Sequence, residues 1–224
     1  VFGSGKASAE SQVTLDYLLA KEPASIKSPY ILAIIAKCIA GIKRDHSALG
    51  EYYARLDAID MARPGAELAR DVVACPGADT CNLAVTQSRG LASAIGEALE
   101  AAGLAEVDGV RTNISGCTNS CGQHHAADIG FFGAERRAHG KSAPGYQLLL
   151  GGYVGQARAE FGQKALRLPA KAAPQAAVRI IGRYAEERSY GETFISWLER
   201  SGGAKAIGAT LKDLDEFPDR KSVV

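Results

Sequence analysis

The chain has 224 residues, 46% of them hydrophobic and 23% charged, with a formal net charge of +1. That is the make-up of a soluble globular protein with room for one large domain or two small ones. A charge so near zero, without any Lys/Arg-rich run, excludes a nucleic-acid binder that works through overall basicity. The longest apolar stretch, residues 30–41, contains Lys37 and is too short to span a bilayer.

In chain order, the first block reads as helical. Ile31, Ile34, Ile35, Cys38, Ile39 and Ile42 recur at the spacing of one helix face, behind an N-cap and first-turn proline at Ser28-Pro29. The middle block, residues 75–152, holds 13 of the 25 glycines and a net charge of −2 (five basic against seven acidic residues). A helix opens at Thr86 or Ser88, carries Leu91, Ile95 and Leu99, and stops at Gly103. Val110, Thr112 and Ile114 alternate as a strand does. Residues 127–133 and 146–150 read as two more strands, separated by a polar loop containing Gly and Pro. The last block, residues 153–224, is net +3 (twelve basic against nine acidic) and reads as mostly helical. Pro174 opens a helix with Ala177, Val178, Ile181 and Tyr184 on one face; Phe194, Trp197 and Leu198 mark a second; residues 213–224 read as a frayed tail. The expected fold class is α/β (α+β): a mixed sheet with flanking helices, preceded by a helical segment. The expected divisions are 1–69 for that segment, 70–200 for the main domain and 201–224 for the tail.

The chain starts at Val1 with no secretory pattern, so it reads as a fragment or a processed chain with a cytoplasmic address. Its five cysteines are Cys38, Cys75, Cys81, Cys117 and Cys121. Without a leader, and with an odd count, a disulfide framework is a poor default. Cys38 lies on the apolar stripe and reads as a buried small hydrophobe. The other four form a C-x5-C pair, Cys75-Pro-Gly-Ala-Asp-Thr-Cys81, and a C-x3-C pair, Cys117-Thr-Asn-Ser-Cys121, each placed at or just after a strand end. Four soft thiolates suit Zn²⁺ or an iron–sulfur cluster. Structural zinc favours two to four residues between paired cysteines. Five, with Pro and Gly among them, describe a wider loop suited to separate corners of a cube. Gly77, Gly116 and Gly122 would let backbone N–H groups approach such a sulfur-rich object. A four-thiolate zinc site and unliganded thiols remain open readings.

The text around these cysteines resembles the sirohaem and 4Fe–4S signature of the assimilatory nitrite and sulfite reductases. Residues 74–84 are similar to that family's first cluster loop, residues 116–133 to its second loop and the strand after it, and residues 146–152 to its closing strand. The resemblance implies that residues 70–200 are the cluster-bearing half of such an enzyme. It implies that Cys75, Cys81, Cys117 and Cys121 hold a 4Fe–4S cluster, with Cys121 also bridging to sirohaem iron as the axial ligand. It further implies six-electron reduction of sulfite to sulfide or nitrite to ammonia, with a ferredoxin or flavoprotein as electron donor. The alternatives are a 4Fe–4S electron-transfer module without sirohaem, or a structural zinc domain.

Sirohaem is rich in carboxylates and needs cations around it. The basic run Arg158, Lys164, Arg167, Lys171, Arg179 and Arg183 faces one acid, Glu160, and offers a wall for the macrocycle or a solvated surface. Arg179 and Arg183 are the candidates on the helix, and Asn119 is a candidate donor inside the second loop. His124 and His125 read as proton donors or as polar loop. The sequence departs from the family in three ways. Thr118 replaces a common proline, no extended strand is recognisable in residues 40–70, and no segment matches the family's substrate-gripping cations. A second half or partner chain is therefore expected to supply them.

Overall fold

The computed structural model describes residues 54–59, 67–138, 140–155 and 158–216. The helical stripe expected in residues 28–50, Cys38, and the end of the expected tail from 217 onward lie outside the described residues. The chain divides into two compact units, residues 1–64 and 65–224. Of the first, the described part is residues 54–59, a single helical turn at 54–57 running into a turn at 58–59.

The second unit is built on a five-stranded mixed sheet in the order β1-β2-β3-β4-β7. Its strands are β1 (Val73–Ala74), β2 (Thr112–Ser115), β3 (Ile129–Ala138), β4 (Lys141–Leu150) and β7 (Gln163–Pro169); β5 (Tyr153–Val154) and β6 (Ala159–Glu160) form a separate small ribbon. The first three strands run parallel, and β4 runs antiparallel to both of its neighbours, β3 and β7. A two-residue strand, β1, does precede the first cysteine, just past the residues 40–70 in which the sequence shows none. It was invisible in the sequence because its support comes from pairing with β2 and not from any apolar alternation of its own.

Parallel neighbours need a crossover of a dozen or more residues. Between β1 and β2 that crossover carries helix α1 (Ser88–Ala101). Its buried residues are Ser88, Leu91, Ile95 and Leu99, the face expected from the sequence. Gly103, at φ +69°, ends it as expected: Gly103 N–H donates to Glu100 O (3.1 Å) and Leu104 N–H to Leu99 O (2.8 Å), the two bonds of a Schellman cap. Between β2 and β3 the crossover, residues 116–128, contains no helix. It is the second cysteine loop itself.

Helix α2 (Ala173–Glu187) packs against α1 and buries Ala173, Ala176, Ala177, Ile180, Ile181 and Tyr184. With α1 and the facing side chains Ile129, Phe131, Tyr146, Leu148 and Leu150 it forms the main core. Because strand side chains alternate, Phe132 and Leu149 point to the opposite face, where His124 and Gly162 meet them. Helix α3 (Phe194–Arg200), capped by the Thr193 hydroxyl accepting from Ser196 N–H, adds Phe194 and Trp197 to the core beside Tyr184.

Three boundaries differ from the sequence reading. The expected loop between residues 133 and 146 is strand on both sides of a tight turn, with Ala134↔Gly145 through Ala138↔Lys141 in register. Pro144 suggested a loop because proline interrupts central strands. Here β7 begins pairing only at Gly145, so at Pro144 the strand β4 has a single neighbour. The block read as mostly helical contains β7. The tail expected at 201–224 is packed structure for much of its length: α4 (Gly203–Ala209) buries Ala204 and Ile207, and Leu211 follows them into the core. Among the described residues of that stretch only three apolar positions are buried, too few for a sequence period, yet α4 packs along β7, the edge strand of the sheet. No described helix is long and apolar enough to cross a membrane.

Candidate metal centre

Cys75 follows β1 directly and extends its ladder, donating its N–H to Ile114 O at 3.1 Å. Cys117 stands two residues past β2. Both cysteine loops therefore leave the same end of adjacent parallel strands, the carboxyl end where α/β sheets place their sites. The first loop is folded on itself: Cys81 N–H donates to Gly77 O (3.0 Å), Ala84 N–H to Cys81 O (3.2 Å) and Ala78 N–H to Thr86 O (3.0 Å). It is then tied to the second. Val85 N–H and the Thr86 hydroxyl both donate to Gly116 O, at 2.9 and 3.3 Å.

Glycine makes that approach possible. A Cβ on Gly116 would lie 2.9 Å from each of Ala84 Cβ, Gly77 Cα and Thr86 O, closer than real side chains come. Gly77 is needed twice over, since its φ is +63° and a side chain would overlap Ser88. On β3, a side chain at Gly133 would overlap Gly116 O and the Thr86 hydroxyl. Three glycines from three segments thus meet under the cysteine loops.

The second loop is anchored from behind. Asn113 Nδ2 donates to Gly122 O (2.9 Å), and Gly122 N–H donates to the buried Ser115 hydroxyl (3.0 Å). Ser115 Oγ also meets His124 Nδ1 at 2.8 Å. The chain turns between these anchors with Ser120 at φ 61° and Gln123 at φ 56°.

All four thiols are free; Cys81 and Cys121 are exposed and Cys75 and Cys117 half-buried. Among the described residues no three His, Cys, Asp or Glu side chains converge as the ligands of one ion would. Burial pushes the Cys75 thiol up, but the Ser88 hydroxyl (3.3 Å) and Gly116 N–H (3.2 Å) outweigh it and hold the thiol below its ordinary value. That set of donors favours thiolate, the form that ligates metal.

The remaining candidates fare differently. Asn119 is exposed within the second loop. Arg179 is engaged elsewhere, in a bidentate pair with Asp213 at 2.8 and 2.7 Å. Arg183 pairs with Glu187 at 2.7 Å and lies over the Trp197 ring. Arg158 pairs with Glu160 and Glu199. Arg179 and Arg183, the candidates for a cationic wall, therefore both stand in local ion pairs in this structure. Both arginines sit on α2 one turn apart, which sequence spacing could show; the carboxylates opposite them come from α2 itself and from a turn that had been read as tail.

His124 is not polar loop. It is fully buried against Phe132 (ring centroids 4.9 Å apart), and burial, with His125 close by, pushes its pKa down to about 4. It is neutral at physiological pH, so it carries no spare proton to donate. The residues that sequence reasoning missed are Ser88, Asn113, Ser115 and Gly133. Each holds a loop from a strand or helix position, and only Ser88, read as a helix start, stood out in the sequence.

The site is thus an α/β module whose two strand-end loops present four free thiols. The family model of the nitrite and sulphite reductase 4Fe-4S domain matches residues 65–216, and the chain belongs to that family. Among its relatives, ferredoxin–nitrite reductase of Synechococcus elongatus is 42% identical over 104 residues, covering 45% of this chain and 19% of the relative. Sulfite reductase [ferredoxin] of Mycobacterium tuberculosis is 31% identical over 161 residues, 68% of this chain and 29% of the relative. Among solved structures, the Mycobacterium tuberculosis NirA protein superposes with a TM-score of 0.58 at 32% identity, over 69% of this chain and 29% of that one. Dissimilatory sulfite reductase I shares the fold, with a TM-score of 0.59 at 11% identity, over 80% of this chain and 60% of that one. The chain thus spans less than a third of the length of these two relatives and of the NirA chain.

Proposed function

We propose that this chain is the cluster-bearing module of a sirohaem-dependent reductase of sulfite or nitrite, with Cys75, Cys81, Cys117 and Cys121 as the four cluster ligands and Cys121 shared with sirohaem iron. The observation that carries the reading is the cysteine pair of loops: four free thiols at the ends of β1 and β2, cross-tied through Gly116. The residues fit the cluster. The donors are all soft, and Cys75 already sits among N–H and O–H donors that favour its thiolate.

Bound there, the cluster and sirohaem would supply one-electron transfer and a reactive iron. The chain's own part is ligation and rigidity. Gly116 N–H donates toward the Cys75 sulfur, and Ser115 and Asn113 hold the loop behind Cys121. The anionic substrate and a ferredoxin donor are inferred from the relatives' names. The cations that would grip that anion are taken to come from a second half or a partner chain, because Arg158, Arg179 and Arg183 are held in ion pairs.

Protein purified without oxygen tests this. Four iron and four acid-labile sulfide per chain on the order expected for one cluster, a tetrapyrrole band, and an EPR signal on reduction are the expected results. Cys121→Ser should lose the coupling between the two cofactors. Stoichiometric zinc without iron would overturn the reading. Iron and sulfide without a tetrapyrrole would select the module that transfers electrons without sirohaem, a reading favoured by the engagement of Arg179 and Arg183 elsewhere.

A further inference from the structure

Ser88 is the first residue of α1 and is completely buried, with 0% of its surface exposed. Its hydroxyl has one proton and two acceptors within reach: the Cys75 carbonyl oxygen at 2.8 Å and the Cys75 sulfur at 3.3 Å. Gly77 closes over it so tightly that a side chain there would overlap Ser88 Oγ. Such burial and crowding belong to a hydroxyl with a fixed task. Position 88 lies 13 residues from Cys75, so the contact is tertiary and not part of a helix cap; the N-cap itself, Gln87, makes no side-chain capping bond.

While Cys75 is a thiol, its S–H donates to Ser88 Oγ and the hydroxyl proton goes to the Cys75 carbonyl. A ligating thiolate has no proton to give, and the same hydroxyl then has reason to turn to sulfur. We propose that Ser88 is a positioning residue that acts through Cys75 to set the reduction potential of the bound cluster. This rests on the cluster reading above. A donor to a ligand sulfur stabilises the more negative, reduced state more than the oxidised one, and so raises the potential. The hydroxyl does this from the protein interior, where water cannot take its place. Gly116 N–H reaches the same sulfur at 3.2 Å, so the hydroxyl would act there beside a backbone donor.

The test is the midpoint potential of the cluster, read by EPR during redox titration of the full chain purified without oxygen, with iron and sulfide counted in each sample. Ser88→Ala is expected to keep its iron and to lower the midpoint by about a tenfold change in the reduction equilibrium, ~59 mV for one electron. Ser88→Thr, which keeps the hydroxyl, should return it toward the wild-type value. Ser93→Ala, on the exposed face of the same helix, should leave it unchanged. Equal midpoints in wild type and Ser88→Ala would overturn the tuning role while leaving the cluster assignment standing. A Ser88→Ala chain that loads less iron than wild type would overturn it too, by assigning the hydroxyl to loop folding. A wild-type chain without iron would overturn the cluster reading itself, and this inference with it.

Discussion

Gly116 shows how little space separates the two cysteine loops. Its missing Cβ lets Ala84, Gly77 and Thr86 close around it, while its own N–H and carbonyl bind Cys75 Sγ, Val85 and Thr86. Gly116→Ala pushes a methyl group against Ala84 Cβ and the backbone of Gly77 and Thr86, and such overpacking costs about 1–3 kcal/mol. The expected outcome is that loss in urea unfolding together with reduced iron loading. His124 predicts a pH dependence. Its folded pKa, about 4, lies below the ordinary histidine value of 6.5. As pH falls from about 6.5 toward 4, the unfolded chain takes up a proton that the native state refuses, so stability drops across that window and levels off below it. Urea titrations of the apoprotein at several pH values should show this slope, and His124→Asn, which can keep the bond to Ser115, should flatten it. Four cysteines were legible one by one in the sequence. Ser115 and His124 were not legible as partners, because nothing local says that a strand residue and a loop residue nine positions on will share a hydrogen bond.

Elements with a strong period of their own were the readable ones. Leu91, Ile95 and Leu99 define α1, and Gly103 ends it, because helix faces and caps are short-range physics. The far halves of β3 and β4 were not readable, since their exposed residues Glu135, Arg137 and Lys141 look like loop and their pairing is what makes them strand. The same holds for β7 and α4. A Cβ on Gly208 would lie 2.9 Å from Ala165 O, so α4 rides directly on the β7 backbone. Deleting everything after Arg200 uncovers that edge and removes Ile207 and Leu211 from the core. The truncated chain is expected to aggregate, measured as a shift of its size-exclusion peak into the void volume, whereas deletion after Glu216 should leave the peak where the full chain elutes.

At the scale of the molecule, the compact unit and the family match both start at residue 65, and the match ends at residue 216. A fragment of residues 65–216 contains the whole sheet, all four helices and all four loop cysteines. It is expected to load iron and sulfide in the same ratio as the full chain and to give the same EPR signal, a comparison that assigns the centre to this unit. By itself the sequence determined the four candidate cysteines, the order of the two loops, the helix faces and the family, because these are carried by residue identity and short spacing. Only the tertiary structure decided that the two loops share Gly116 and that Arg179 and Arg183 answer to Asp213 and Glu187. It also decided that Ser88 stands behind Cys75 and that the supposed tail seals a sheet edge. The reason is the same in each case: these are contacts between segments distant along the chain, and no pattern within either segment encodes the other.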